Sequence, residues 1–342
     1  MKGLIVFDNS LQMENILAQL NTMEDSAFDD YEKNNFRGFI SQKTLYGLIQ
    51  KAEDELVEMY HKAETEDEKK SILKRGYSDL YKSKLESGFI TQYIDKNGYS
   101  SFDYSINSSY YAPIANEKGF YAIGDTIYQL TSTQTKTWIN GNINDLSVLE
   151  KAYISDSTKN IYVKDHIETR ANSSHDSYWK EVGSYKFSVF YEFKPTKYTN
   201  TSWHQKIAVH FRCQHYGGMA PFKKWKDEPW DMNYYISRRA STHYTRTAYP
   251  YGNGVATNST FRNPSSGLST LRIKDTWISV SAFDADINTT NNDTKWLCSV
   301  PIGSQLQPIN DVTLDELTIR AEFPTRINII LTKSSYYTET YP

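Results

Sequence analysis

The chain is short of cysteine, of long apolar runs, of charge of one sign, and of catalytic signatures. Each shortage narrows what it can be. It has two cysteines, Cys213 and Cys298, each in a stretch that reads as a strand and neither in a CxxC pair, which argues against a zinc or redox site. They read as two small buried hydrophobes or as one disulfide, and the spacing does not choose between these. No segment approaches the roughly 20 apolar residues that span a bilayer. The run from Gly3 to Phe7 (GLIVF) is too short for a signal-peptide core and reads as a first strand. The chain is therefore either cytoplasmic or a mature form whose export signal has been removed. A formal net charge of -3 gives no general attraction to nucleic acid or to acidic membranes. GxSxG, HExxH and Walker sequences are missing, and Gly252-x-Gly254 lacks both a third glycine and a preceding buried strand, so it is loop punctuation.

What is present is aromatic. Tyrosines number 27 and aromatics make up 14 % of the chain, a composition suited to sheet surfaces that bury one end of a ring and wet the other. With 342 residues there is room for two domains. The organising stretch is Gly119–Thr131 (GFYAIGDTIYQLT), two short β-type runs flanking Gly124-Asp125, which predicts a tight hairpin. Ahead of it the pattern is helical. Asp8-Asn9-Ser10 offers capping oxygens to a helix carrying Met13, Ile16, Leu17 and Leu20, and Glu24–Asn34 predicts a short second helix. Ser41 caps Gln42–Lys62, whose apolar stripe is Leu45, Leu48, Ile49, Ala52, Leu56, Met59 and Tyr60. Thr65 with Glu68 forms a capping-box pattern, and Gly76 marks a kink or break in the helix that follows. The polar, tyrosine-rich Gly98–Pro113 reads as a surface loop, Asn144–Ala152 as a short helix and Lys159–Lys164 as a brief strand.

Glu168–Asp176 reads as a linker, so the expected domains are 1–170, a helical region with the IGDTIY hairpin, and 171–342, a β-sandwich domain. The later part alternates with period two. Tyr185, Phe187, Val189, Tyr191 and Phe193 share one face, as do Ile207 to Cys213 in alternation, and Leu317, Ile319, Ala321 and Phe323. Alternation that buries one sheet face and wets the other fits two stacked antiparallel sheets. The expected class is α+β, a helical N-terminal region with a β-hairpin followed by an antiparallel β-sandwich.

Few residues suggest chemistry. In an extended strand His204 and His210 fall on one face and His215 on the other, so they do not converge on one metal. Asp284, Asp286, Asn288 and Asp293 resemble the start of a calcium loop, but Thr289 stands where glycine is needed and Lys295 where the bidentate glutamate is needed. No metal or cofactor is expected. The most suggestive segment is Trp225–Tyr251, where aromatics alternate with Lys223, Lys224, Arg238, Arg239 and Arg246. Read as a long loop, it either folds its rings against the sandwich or presents them to a ligand. In the second case Trp225, Trp230, Tyr234, Tyr235, Tyr249 and Tyr251 are the ligand-contacting rings.

The opening LIVF strand, Gly38-Phe39-Ile40-Ser41 and above all Ala122-Ile123-Gly124-Asp125-Thr126-Ile127-Tyr128 resemble a family of uncharacterised secreted lipoproteins common in Bacteroidetes, over roughly residues 4 to 131. The resemblance implies export to the periplasm or the outer-membrane surface, with membrane attachment only through a lipid anchor whose signal and lipobox cysteine are absent here. It assigns no catalytic residue. The functional expectation is a cell-surface or periplasmic binding module for a glycan or a surface protein, without nucleic acid as partner. A secreted glycan-active hydrolase and a structural or adhesive surface component are the alternatives. A cleft holding two carboxylates, one with a raised pKa, would favour the hydrolase.

Overall fold

The hairpin forms where the sequence places it. In the computed structural model, which describes residues 3–94, 98–165, 179–197, 202–217, 223–248, 252–264, 269–286, 309–323, 327–332 and 336–340, strands β4 (Phe120–Ile123) and β5 (Thr126–Leu130) pair antiparallel with Ile123 opposite Thr126. Gly124 carries φ +57° in the two-residue loop, a conformation a side chain disfavours. Gly119, at φ +81°, is more constrained still, because a Cβ there would lie 2.0 Å from the carbonyl oxygen of Leu130.

The chain is α+β and divides into two units. The first holds residues 1–172, 181–186 and 214–228. Its β1 (Val6–Phe7) runs parallel to β4, and β4, β5, β6 (Gln134–Trp138) and β7 (Ile161–Asp165) complete a five-stranded mixed sheet in the order β1-β4-β5-β6-β7. One face of this sheet packs Phe120, Ala122, Ile127 and Ile161 with Leu149 of the short helix α6 (Ser147–Glu150).

The helices are α1 (Ser10–Leu20), α2 (Asp25–Asn35), α3 (Gln42–Lys62), α4 (Glu66–Arg75) and α5 (Asp79–Glu86). Each predicted cap is made. Asn9 accepts from Gln12, Ser41 from Thr44, and Thr65 and Glu68 close a reciprocal capping box. Helix α3 differs from its expected orientation. Leu48 and Met59 of the apolar stripe are exposed, while Tyr46, Ile49, Glu53 and Leu56 face inward. The stripe is turned because Tyr46 and Glu53 have buried partners that no leucine could satisfy.

Gly98–Pro113, expected to be a surface loop, instead forms β3 (Ser100–Tyr104) and a 3-10 turn, with Phe102, Tyr104, Ile106 and Tyr110 buried. Strand β3 pairs antiparallel with β2 (Ile90–Ile94) and parallel with β11 (Lys224–Asp227), and β11 pairs with Gln214–Gly217 at the end of β10 (Ser202–Gly217).

The second unit holds 173–180, 187–213 and 229–342. Its strands are β8 (Trp179–Val182), β9 (Tyr185–Lys197), β12 (Trp230–Ala248), β13 (Gly252–Pro264), β14 (Ser269–Ile273), β15 (Asp275–Asp286), β16 (Ile309–Phe323), β17 (Ile327–Thr332) and β18 (Tyr336–Thr340), with the end of β8 and the start of β9 assigned to the first unit. Ser202–Arg212 of β10 pair antiparallel with β15, and a second sheet runs β13-β12-β16-β17-β18 with β14 also on β12. Phe187 of β9 meets Phe323 of β16 at 4.3 Å and Trp230 of β12 at 6.0 Å, and Phe211 of β10 meets Tyr234 of β12 at 5.5 Å. Among the described residues no helix is long and apolar enough to cross a membrane.

Gly119→Ala should cost about 2 kcal/mol or more, since it combines a positive φ with a clash into backbone that cannot swing away. Urea unfolding of the two chains under identical conditions checks this.

Candidate functional site

Two polar sites are built within the first unit. One is closed. Lys224 of β11 and Glu53 of α3, with side chains only 5 % and 3 % exposed, form an ion pair at 2.6 Å. The second Glu53 oxygen accepts from the backbone N–H of Ser78 at 2.8 Å and from its hydroxyl at 2.6 Å. Ser78 is in turn the N-cap of α5. The ammonium lies 5.3–5.7 Å from the ring centres of Phe102, Tyr81 and Tyr77, so three aromatic rings surround a charge already neutralised by a carboxylate. Burial pushes the Lys224 pKa below its usual value, against the opposing pull of Glu53. Next to it, Asp227 accepts from Gln214 at 2.9 Å, Gln50 at 3.2 Å and Tyr46 at 3.3 Å, and Lys226 pairs with Asp54. Every charge here has an internal partner, so the cluster acts as a fastening between α3, α5 and β11 and not as a place for a ligand.

The other site is open. The end of α2, the turn after it and the start of α3 enclose a cleft of about 320 Å³ lined by Asp29, Glu32, Lys33, Phe36, Gly38, Phe39, Ile40 and Thr44. Gly38 turns the chain at φ +75°. Phe36 stands edge-on between Tyr31 at 5.7 Å and Phe39 at 6.0 Å. Glu32, 5 % exposed, accepts from the backbone N–H of Ser41 at 3.1 Å, at the N-terminus of α3. Its pKa is raised, first by burial and further by the charge of Asp29, while hydrogen bonds from Ser41 and Thr44 oppose the shift. The cleft thus sets carboxylates, an amine and a hydroxyl against an apolar wall.

The sequence-based ring cluster is distributed differently from the loop that was expected. Trp225 lies in β11 and is 3 % exposed, packed against Tyr216 at 5.4 Å and beneath the Lys186 ammonium at 4.7 Å. Trp230, Tyr234 and Tyr235 are half-buried on β12, in the other unit, and Tyr249 and Tyr251 lie outside the described residues. The segment read as a loop is two strands, because Met232, Tyr234 and Ile236 alternate inward and β12 pairs with β13, β14 and β16.

His210 is buried against Asp275, and His215 lies 3.4 Å from Glu228. Among the described residues no group of three His, Cys, Asp or Glu could hold a metal. Asn288, Asp293 and Cys298 lie outside the described residues, whereas Cys213 is buried. The residues that sequence reasoning missed are Glu53 and Ser78 of the fastening, and Asp29, Glu32 and Phe36 of the cleft. The available signal for the first was the position of Glu53, four residues after Ile49 and three before Leu56, which puts one member of the acidic run Glu53-Asp54-Glu55 on the apolar face of α3.

Fold and site together define an α+β protein with mixed sheets and a small surface cleft on its helical part. No family model and no curated protein matches the chain. Among solved structures it is similar to a DUF4848 family protein from Bacteroides thetaiotaomicron, at 14 % identity over 97 % of this chain and 94 % of that one, with a TM-score of 0.28. A second similarity is to Spo0M, a sporulation control protein from Bacillus subtilis, at 15 % identity over 47 % of this chain and 51 % of that one, with a TM-score of 0.17.

Replacing one partner of the buried pair, by Lys224→Met or Glu53→Gln, should cost about 3–5 kcal/mol because a buried charge loses its counter-charge. The double replacement should cost less than the sum, and urea unfolding of the four-member cycle measures the difference. Glu32 gives a pH signature. A carboxyl whose pKa rises on folding stabilises fully below its unfolded value near 4.5, and that contribution is lost as pH rises through the raised folded value. Glu32→Gln should flatten this loss, read as urea midpoints from about pH 4 to about pH 7.

Proposed function

We propose that the chain is an exported binding module of the periplasm or cell surface, that its second unit is a face-to-face β-sandwich, and that its helical unit holds a saccharide in the α2–α3 cleft. The observation that carries this reading is the composition of the cleft. Phe36 and Ile40 offer apolar surface to the C–H face of a sugar ring over a floor of the buried Phe39 and Glu32, and Asp29, Lys33 and Thr44 offer donors and acceptors to its hydroxyls. A volume of about 320 Å³ sits at the lower end of the range for ligand pockets, suited to a short saccharide rather than a cofactor. The ring contacts of Phe187 and Phe211 with β12 and β16 support the sandwich, since they join the inner faces of two sheets. Export rests on the resemblance of roughly residues 4 to 131 to secreted lipoproteins.

One observation favours a second reading, a glycan-active hydrolase. Asp29 and Glu32 line the same cleft, and burial raises the pKa of Glu32, as a general acid requires. The hydrogen bond from Ser41 weighs against it, because it commits one Glu32 oxygen to capping α3.

Calorimetric titration of the full chain with soluble β-glucan, xylan, mannan and chitin oligosaccharides should show binding that falls at least about tenfold in Phe36→Ala and in Asp29→Asn. Release of reducing ends that disappears in Glu32→Gln would shift the assignment to the hydrolase. Affinity indifferent to both cleft variants would remove the cleft as the site.

A further inference from the structure

A second feature of the first unit lies on the opposite face of the five-stranded sheet from α6. The pairing register puts Tyr121, Tyr128, Thr137 and Tyr162 in one cross-strand row over β4, β5, β6 and β7. At the inner end the rings are stacked. Tyr111 and Tyr121 are 5.8 Å apart, Tyr121 and Tyr128 are 5.1 Å apart, and both pairs are within 10° of parallel. The stack runs from β4 to β5, and the next position of the row after Tyr128 is Thr137 on β6.

On β6 the row is interrupted by a small side chain, Thr137, and it resumes on β7 with Tyr162. Exposure rises outward along the row. Tyr121 is 5 % exposed and Tyr162 is 45 % exposed, with Tyr128 and Thr137 between them. Two strand spacings separate Tyr128 from Tyr162, about 9.6 Å at the backbone. That spacing accepts one flat ring at an ordinary stacking distance of roughly 5 Å from each neighbour.

We propose that this sheet face is a saccharide-stacking platform, in which one pyranose ring sits over Thr137 between Tyr128 and Tyr162 and continues the stack begun by Tyr111 and Tyr121. A pyranose fits the surroundings better than a planar aromatic molecule. The side chains that the register sets side by side here, Tyr128, Thr137 and Tyr162, each carry a hydroxyl that can donate to and accept from a ring's equatorial hydroxyls. The platform is separate from the α2–α3 cleft and stands without it. A chain with both would hold a glycan at two places.

The test uses the full chain carrying Phe36→Ala and Asp29→Asn, so that any binding left is not the cleft's. In this background, titration with the same oligosaccharides, followed by saturation-transfer NMR and calorimetry, should show tyrosine-ring contacts to sugar protons. Adding Tyr162→Ala should weaken binding at least about tenfold, and Thr137→Tyr, which fills the recess with a ring, should abolish it while leaving the melting temperature unchanged or higher. Binding that persists in both variants, or a response to planar aromatic compounds with none to saccharides, would overturn the platform. Binding lost on mutating the cleft alone would overturn the platform and leave the cleft standing. Platform binding with an unresponsive cleft would do the reverse.

Discussion

The first unit depends on one charge being hidden. Lys224 and Glu53 are 171 residues apart in the chain and in direct contact in the fold, both almost fully removed from water. Desolvating two ions costs several kcal/mol each, and the cost is recovered only when every remaining donor and acceptor is met. Here it is met by the N–H and hydroxyl of Ser78 and by three aromatic rings around the ammonium. The pair is therefore selective in geometry. β11 fits against α3 and α5 in the register that brings Lys224 to Glu53, and a slip of one residue along the strand would present Trp225 to the carboxylate instead. Residues 214–228 consequently belong to the unit formed by the first 172.

The same economy governs the aromatic residues. Many of the tyrosines that make the composition unusual are spent on one another. Tyr77 stacks on Tyr81 at 4.3 Å, Tyr46 on Tyr104 at 4.4 Å, and Tyr99 lies 4.0 Å from Tyr216. Edge and stacked pairs of this kind add about 0.5–1.5 kcal/mol beyond their buried area, so a tyrosine-rich chain can build cores that a leucine-rich chain would build by packing alone. Trp225 shows how this misleads a search for binding rings. Its neighbours Lys186, Tyr216 and Tyr99 cover it. Among the described residues the rings left most open to solvent lie outside these pairs, at Tyr93, Tyr153 and Tyr162.

Much of the secondary structure was legible because its causes are local. The caps at Asn9, Ser41 and Thr65 depend on oxygens within three residues of the amides they serve. The Gly124 turn depends on one positive φ. Period-two alternation found the apolar faces of β9, β10 and β16, but the face expected to be wet is buried as well in β9 and β10, at Lys186, Ser188, Ala208, His210 and Arg212. The misread segments have causes at a distance. Ser100–Tyr104 looks like a polar loop, yet it is a strand because β2 and β11 flank it. β12 looks like a ring-rich loop, yet three strands pair along its 19 residues.

The sequence by itself determined where helices begin, where the hairpin turns and which strand faces are apolar, since neighbours in the chain set those energies. It also determined an aromatic-rich α+β composition with no common catalytic signature. Only the tertiary structure decided which face of α3 turns inward, that Lys224 is a buried ion rather than a surface base, and that Asp29, Glu32 and Phe36 share a cleft. Those outcomes depend on low-dielectric contacts between groups far apart in sequence, and a linear pattern carries no record of which distant charge will neutralise which.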